Sequence, residues 1–178
     1  MRVIGGLSRG RRLKARLPPS VRPTSDRVRE AIFDVLGSRG GVEGLRVVDL
    51  FCGSGALGLE ALSRGAAAVT FVDRDPAALA AVEANREAVG LPEKAVHVVR
   101  GELPGWLTGR PPVDLALCDP PYAFAEWPLL LELLSADVAV LESADPVELP
   151  AGWLVARERR YGGTLVTVAE RTPLGGAS

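Results

Sequence analysis

The stretch that most constrains the fold is an apolar strand followed by a glycine-rich turn and a helix. Residues 45–50 are rich in leucine and valine, which is typical of a parallel strand buried on both faces of a sheet. Gly53 and Gly55 lack a Cβ atom, so the chain can turn tightly there and bring bare backbone against a ligand. A helix is predicted from about Ala56, and its first amides would point at that ligand. Asp49, at the end of the strand, adds a carboxylate to this predicted crevice.

The spacing of the glycines also fits a cofactor fingerprint. Gly53, Gly55 and Gly58 match the dinucleotide-binding pattern, and Asp73 lies 20 residues after Gly53, where a carboxylate that binds ribose is expected. The pattern predicts a cofactor that contains a nucleoside. It does not distinguish a nicotinamide cofactor from S-adenosylmethionine.

A second motif, Asp119-Pro120-Pro121-Tyr122, follows the predicted strand 113–118. Ligands of open α/β sheets bind at the carboxyl ends of the strands, near the point where the strand order reverses, so we expect this motif beside the glycine turn. The two prolines remove amide donors, so the turn presents only a carboxylate and carbonyl oxygens. Tyr122 adds a flat aromatic face.

Such a turn suits the exocyclic amino group of a planar nucleobase. The amino nitrogen is a poor nucleophile because its lone pair is delocalised into the ring. Hydrogen bonds from the amino group to the Asp119 carboxylate and the Pro120 carbonyl would let the nitrogen pyramidalise and attack a methyl group. Tyr122 would stack on a base that has left its helix or loop. Hydride transfer needs no acceptor-only turn, so the two motifs together favour S-adenosylmethionine.

The rest of the chain alternates between predicted strands and helices before it changes character. Five strand–helix units are followed by two strands, 153–158 and 164–169, which flank Tyr161-Gly162-Gly163 and predict an antiparallel hairpin. This order predicts an open twisted sheet with an antiparallel edge. We expect a small basic arm or hairpin over residues 1–23 and one catalytic domain over residues 24–178.

Charge is unevenly distributed along the chain. The formal net charge is −1, but residues 1–30 hold nine basic side chains against two acidic ones, which leaves −8 on the remaining 148 residues. A basic arm on an acidic body predicts a polyanionic partner, because arginine forks match phosphate. Arg9, Arg11, Arg12 and Arg22 are the candidates for RNA contacts.

Composition excludes several other classes of protein. The chain is 47% hydrophobic and 24% charged, which is typical of a globular domain. No apolar run reaches the ~18 residues of a membrane span, and no secretory signal is visible, so we expect a cytoplasmic protein without a membrane partner. Cys52, Cys118 and His97 are too few for a zinc site, and reduced, packed thiols are expected instead of a metal. We also expect a monomer.

With these residues assembled, the chain resembles the RsmD-type 16S ribosomal RNA guanine-N2 methyltransferases. Five stretches carry the resemblance, in order along nearly the whole chain: residues 2–6 (RVIGG), 9–13 (RGRRL), 22–30 (RPTSDRVRE), 49–62 (DLFCGSGALGLEAL) and 119–122 (DPPY). The last motif is shared by many amino-methyltransferases. The arginine-rich N-terminal stretches are far more specific.

The resemblance implies a Rossmann-like class I methyltransferase fold with a seven-stranded, mostly parallel sheet, acting on 16S ribosomal RNA or the small ribosomal subunit. It assigns Asp119, Pro120, Pro121 and Tyr122 to the guanine. The cofactor residues that it implies are Thr24, Arg27, Asp49, Gly53, Ser54, Gly55, Asp73 and Glu102. Glu102 departs from the family pattern, in which aspartate or asparagine more often stands beside the adenine.

Two other activities share parts of this pattern. A methyltransferase acting on adenine N6 of RNA or DNA would use the same Asp-Pro-Pro-Tyr chemistry. A nicotinamide-dependent oxidoreductase is compatible with the glycine fingerprint alone. A non-catalytic RNA-binding protein that retains a cofactor pocket is a third alternative.

Overall fold

A computed structural model describes residues 1–14 and 25–172 of the chain. The helices are α1 (Asp26–Gly37), α2 (Ala56–Ser63), α3 (Pro76–Val89) and α4 (Trp127–Leu133). The strands are β1 (Arg46–Leu50), β2 (Ala68–Asp73), β3 (Val96–Arg100), β4 (Val113–Cys118), β5 (Ala136–Ser143), β6 (Trp153–Tyr161) and β7 (Thr164–Arg171). No helix in these two ranges has the length and apolar character needed to cross a membrane.

The strands form a single seven-stranded sheet in the order β3-β2-β1-β4-β5-β7-β6. The first five are parallel, and β7 pairs antiparallel with both β5 and β6. The predicted fold class and the antiparallel carboxyl-terminal hairpin are therefore confirmed. The strand order reverses between β1 and β4, and this places the turns that follow these two strands side by side.

Helix boundaries follow the capping signals in the sequence. Ser25 caps α1 by accepting a hydrogen bond from the amide of Val28 at 3.2 Å. Asp75 caps α3 in the same way, Pro76 occupies its first turn, and Gly90 ends it in the left-handed conformation.

Strands β5, β6 and β7 extend further than their apolar patterns predict. The apolar run of the fifth strand ends at Leu141, but β5 continues to Ser143 because Glu142 and Ser143 pair with Val166 and Leu165 of β7. Strand β6 likewise continues to Tyr161, which pairs with Thr164 across the hairpin turn. Backbone pairing with β7 therefore places the polar residues Glu142 and Ser143 at the carboxyl end of β5, the side of the sheet on which ligands of open α/β sheets bind.

Residues 1–14 form a hairpin, called here the N-terminal hairpin, which packs against the body. Backbone hydrogen bonds join Val3 to both Gly10 and Arg11, and the side chains of Val3 and Leu13 are buried in the main core. The amides of Ile4 and Gly5 donate to the buried Glu60 carboxylate, each at 2.7 Å. Contacts with the rest of the domain therefore hold this hairpin in place.

A glycine makes this docking possible. Gly6 has a φ of +73°, and a Cβ there would lie 1.7 Å from the carbonyl oxygen of Ser63. The next amide, that of Leu7, donates to that same oxygen at 2.7 Å. Any side chain at position 6 would therefore push the hairpin away from the end of α2.

Arg29 joins three parts of the molecule from a fully buried position. Its guanidinium donates to the carbonyl of Arg2 in the hairpin at 2.6 Å and to the carboxylate of Asp26 at 2.7 Å. A longer bond of 3.5 Å reaches the carbonyl of Ala56 at the start of α2. The hairpin, α1 and the helix after the glycine turn are thus held in one arrangement.

Candidate active site

A cleft of ≈ 1430 Å³ opens at the carboxyl ends of the parallel strands. The predicted residues that line it are Arg27, Asp49, Gly53, Ser54, Asp73, Glu102, Asp119, Pro120, Pro121 and Tyr122. These residues come from chain positions almost a hundred apart and meet because β1 and β4 are neighbours. The structure therefore brings the two motifs to one site.

The glycine turn after β1 is held by bonds from within the protein. The amide of Gly53 donates to the Asp73 carboxylate at 3.0 Å, and the buried Asn85 donates to the carbonyl of Ser54 at 3.0 Å. Gly53 and Ser54 remain on the cleft wall. Hydrogen bonds within the protein therefore fix the conformation of this turn.

Gly55 lies behind this wall, at the N-cap of α2 in the left-handed conformation. A Cβ on it would meet Val82 at 3.0 Å and Phe71 at 3.3 Å. Close packing of α3 and β2 against the turn thus requires a glycine there. Its amide donates to the carbonyl of Cys52 at 2.8 Å, which closes the turn.

Asp49 is almost fully buried, yet it lines the floor of the cleft. Its carboxylate accepts a hydrogen bond from the amide of Gly58 at 2.8 Å. Burial raises the pKa of Asp49 well above its usual value, and the nearby charges of Asp119 and Asp73 raise it further, although the bond from Gly58 acts in the opposite direction. A cation in the cleft would relieve this cost of ionisation.

Asp73 ends β2 with both carboxylate oxygens engaged by the backbone. One oxygen accepts from Gly53 and the other from the amide of Asp75 at 3.0 Å. Each carboxylate oxygen has a second lone pair, so the side chain can still accept hydrogen bonds from a ribose. Asp73 therefore couples the glycine turn to the place where ribose is expected.

The Asp119–Tyr122 turn is more open than the glycine turn. Pro120 is buried, whereas Tyr122 is 57% exposed. The turn continues into Phe124, whose amide donates to the carbonyl of Pro121 at 2.8 Å. Phe124 packs edge-on between Phe51 and Trp127, with ring centroids 5.0 and 5.3 Å away. An aromatic cluster thus supports the turn and leaves the Tyr122 ring facing solvent.

The remaining predicted residues differ in how they relate to the cleft. Glu102 lines it and pairs with Arg74 at 3.5 Å, and both side chains are largely exposed. Arg9 and Arg12 are exposed on the N-terminal hairpin, whereas Arg11 donates to the carbonyl of Val89 at 2.8 Å, at the end of α3. Thr24 and Arg22 lie outside the described residues.

The cleft also contains residues that the sequence did not single out. Met1 and Leu13 of the N-terminal hairpin, Glu142 of β5 and the tip of the β6–β7 hairpin all line it. The Tyr161-Gly162-Gly163 turn signals a hairpin, but the sequence does not show that this tip reaches the carboxyl edge of β4. Cys52 and Cys118 are free and buried, as predicted, and burial raises the pKa of both thiols.

Comparison with known proteins agrees with this architecture. The family described as conserved hypothetical protein 95 matches residues 1–170. YlbH of Bacillus subtilis (strain 168), provisionally named an rRNA methyltransferase, is 38% identical over 185 residues, covering 96% of this chain and 99% of that protein. Ribosomal RNA small subunit methyltransferase D of Escherichia coli (strain K12) is 33% identical, covering 98% of this chain and 92% of its own.

The solved structures show the same fold. The Escherichia coli protein yhhF, provisionally titled a methyltransferase, superposes with a TM-score of 0.83 at 32% identity. The match covers 96% of this chain and 97% of that one. The likeness therefore includes the N-terminal hairpin as well as the sheet.

Proposed function

Because this chain belongs to the conserved hypothetical protein 95 family, which includes the RsmD-type ribosomal RNA methyltransferases, we propose that it transfers a methyl group from S-adenosylmethionine to the N2 amino group of a guanine in 16S ribosomal RNA. One observation supports this proposal above all others. A glycine turn and an acceptor-only turn lie side by side in a single cleft.

The residues of the cleft fit the proposed cofactor. S-adenosylmethionine, when bound, supplies a methyl group on a positively charged sulfur. The carboxylates of Asp49 and Asp73 suit a ligand that carries an ammonium group and ribose hydroxyls, and Gly53 and Ser54 leave the wall between them free of large side chains. Arg27 and Glu102 lie on the rim, where they would flank the cofactor.

The base side of the cleft would activate the amino group. Asp119 and the carbonyl of Pro120 would accept hydrogen bonds from the two amino N–H groups and so localise the nitrogen lone pair, which would form the new bond to carbon. The methyl group would come from the bound cofactor, which would leave as the neutral thioether, and the nitrogen would lose one proton to solvent. Tyr122 would stack on the base, since its ring is already exposed at the mouth of the cleft.

The basic N-terminal hairpin supports the proposal that the substrate is RNA. Arg9 and Arg12 project from it into solvent, and Met1 and Leu13 of the same hairpin line the cleft. An RNA strand that places a base in the cleft would therefore pass near these arginines. We propose that the protein binds this RNA as a monomer.

Calorimetry and methyl transfer together test the class of enzyme. We expect the full chain to bind S-adenosylhomocysteine and to move a labelled methyl group from S-adenosylmethionine into RNA of small ribosomal subunits. Tighter binding of NAD would assign the protein to the oxidoreductases. Cofactor binding without transfer to RNA, DNA or any subunit component would favour a non-catalytic role.

A further inference from the structure

We propose that Glu142 selects guanine by accepting a hydrogen bond from its N1–H, beside the amino group that is methylated. This inference rests on the proposed function, because it concerns how the same cleft chooses its base. Glu142 belongs to neither of the two motifs and lies in β5. Four points support it: the register of β4 and β5, the sheet face that Glu142 shares with Asp119, the burial of Glu142, and the donors and acceptors on the base edges.

The sheet register places Glu142 next to Asp119. Strands β4 and β5 are parallel, and the last matched pair is Cys118 and Leu141. The next residue on each strand is Asp119 and Glu142. Neighbouring strands lie about 4.8 Å apart, so two carboxylates at this step can contact adjacent donors on one base edge.

The two side chains also share a face of the sheet. Leu117 and Val140, one pair earlier, both belong to the core cluster on the α1 and α2 side, whereas Cys118 and Leu141 belong to the cluster on the α4 side. Alternation along the strands then returns Asp119 and Glu142 to the first face. Both residues line the cleft.

Burial distinguishes Glu142 from the other carboxylates near the mouth. Its residue is only 5% exposed, whereas Glu126 and Asp145 are exposed on the rim. A buried carboxylate is costly unless something in its surroundings compensates it. Glu142 also has a contact within the protein, but a carboxylate has about four acceptor positions and can accept from a base in addition.

The chemistry of the base edges gives the direction of selection. Guanine presents N1–H next to its amino group, so a carboxylate acceptor matches it. Adenine presents an unprotonated N1 next to its amino group, and two acceptors would then face each other without a proton between them. Glu142 would therefore reject adenine, although Asp119-Pro120-Pro121-Tyr122 is compatible with both amino groups.

A substrate analogue tests this without changing the protein. The wild-type chain first identifies its target by methylating small-subunit RNA, and that guanine is then replaced by 2-aminopurine in reconstituted subunits. 2-Aminopurine keeps the amino group but lacks the N1 proton and the O6 oxygen, so the share of the effect that belongs to Glu142 is read from variants of that residue. We expect kcat/KM to fall about 10- to 100-fold, the usual discrimination from a good base contact.

The variant Glu142→Gln tests the residue itself. Its amide can donate to an unprotonated N1, so we expect the preference for guanine over 2-aminopurine to shrink at least tenfold or reverse. Glu126→Gln, the same change on the exposed rim, should keep the wild-type preference. S-adenosylhomocysteine affinity should be unchanged in both variants.

The outcomes separate this inference from the proposed function. If the wild-type chain methylates no guanine amino group, the proposed function fails. If it methylates guanine and 2-aminopurine equally well, or if Glu142→Gln keeps the full preference, the inference alone is wrong. Should Glu142→Gln fail to fold, Glu142→Ala takes its place: it offers N1–H no acceptor, so the preference for guanine should shrink in it as well, and an unchanged preference would overturn the inference.

Discussion

The two walls of the cleft are built in different ways. On the glycine side, backbone amides at Gly53, Gly58 and Asp75 donate to Asp49 and Asp73. On the Asp119 side, the turn rests on an aromatic cluster, and Tyr122 is 57% exposed. Both walls begin at the carboxyl ends of adjacent strands, so the difference comes from the sequence of the turns and not from their position in the sheet.

This difference suggests that the two walls have different roles. The glycine side is held by hydrogen bonds within the protein, as expected of a wall that binds a small cofactor repeatedly. The Asp119 side leaves an aromatic face exposed, as expected of a wall that is covered only when RNA delivers a base. Changes on the two walls should therefore have separable effects, on cofactor affinity and on the rate of transfer respectively.

The largest expected effect is on the base side. Asp119→Ala removes one acceptor from the attacking amino group, so kcat should fall about 10²- to 10³-fold, as for other single preorganised contacts in transition states. S-adenosylhomocysteine affinity should change little. Single-turnover transfer and calorimetry on the same preparation measure both quantities, and near-normal transfer would make the motif a structural turn only.

The cofactor side should show the opposite pattern. Asp73→Ala should weaken S-adenosylhomocysteine binding by roughly 1.5–3 kcal/mol, the range for hydrogen bonds that involve a charged group. It also leaves the amides of Gly53 and Asp75 without their partner, so thermal stability should fall. Asp73→Asn retains one acceptor oxygen and should lie between the two. Unchanged affinity in a folded variant would remove Asp73 from the site.

The pH dependence of cofactor affinity tests the role of Asp49 on the glycine side. Burial raises the pKa of this carboxyl, and an ammonium group of the cofactor would favour its ionised form. Binding should then release a proton between the ordinary aspartate pKa and the raised one. Affinity should rise with pH across that window, by at most about tenfold per pH unit. Asp49→Asn should flatten the dependence, and an equally steep profile in that variant would contradict the assignment.

The raised pKa of Asp49 also determines how the free energy of unfolding changes with pH. Because the folded-state pKa of Asp49 is raised, its contribution to the free energy of unfolding is complete below the ordinary aspartate pKa. That contribution is lost as pH rises through the raised value. Asp49→Asn should therefore gain stability relative to wild type as pH rises, and unfolding at several pH values measures it.

The smallest expected effect concerns RNA binding by the N-terminal hairpin. Replacing Arg9 and Arg12 together should flatten log K for RNA against log salt by about 1.4–1.8, if each arginine holds one phosphate. Arg11 is left in place because it also bonds the end of α3. Arg46→Gln, an exposed position at the amino end of β1, is the matched control. Parallel lines for the double variant and wild type would exclude these two arginines from the RNA interface.

Local patterns in the sequence predicted much of this arrangement. Strand periodicity, glycine spacing and caps depend on neighbours in the chain, so β1, the glycine turn and the Asp119 motif could be placed beside each other from sequence alone. The burial of Arg29 and Glu60 could not be recognised, because the contacts that join them to the N-terminal hairpin span 27 and more than 50 residues. Their charge suggested the surface, yet both are fully buried.

Glu142 was missed for a different reason. The apolar run that marks β5 ends at Leu141, and the polar residues after it are typical of a loop. Pairing with β7 extends the strand by two residues and carries Glu142 to the cleft. Such an extension depends on a partner strand later in the chain, so the periodicity of β5 itself does not contain it.

The central claim is that the two walls together methylate a guanine amino group in small-subunit RNA. The most direct measurement is to incubate the full chain with small ribosomal subunits and labelled S-adenosylmethionine, digest the RNA and identify the labelled nucleoside. We expect the label in N2-methylguanosine, at one position, and its loss in Asp119→Ala. Label in N6-methyladenosine, in protein, or in guanosine at a level that Asp119→Ala does not change would contradict the account.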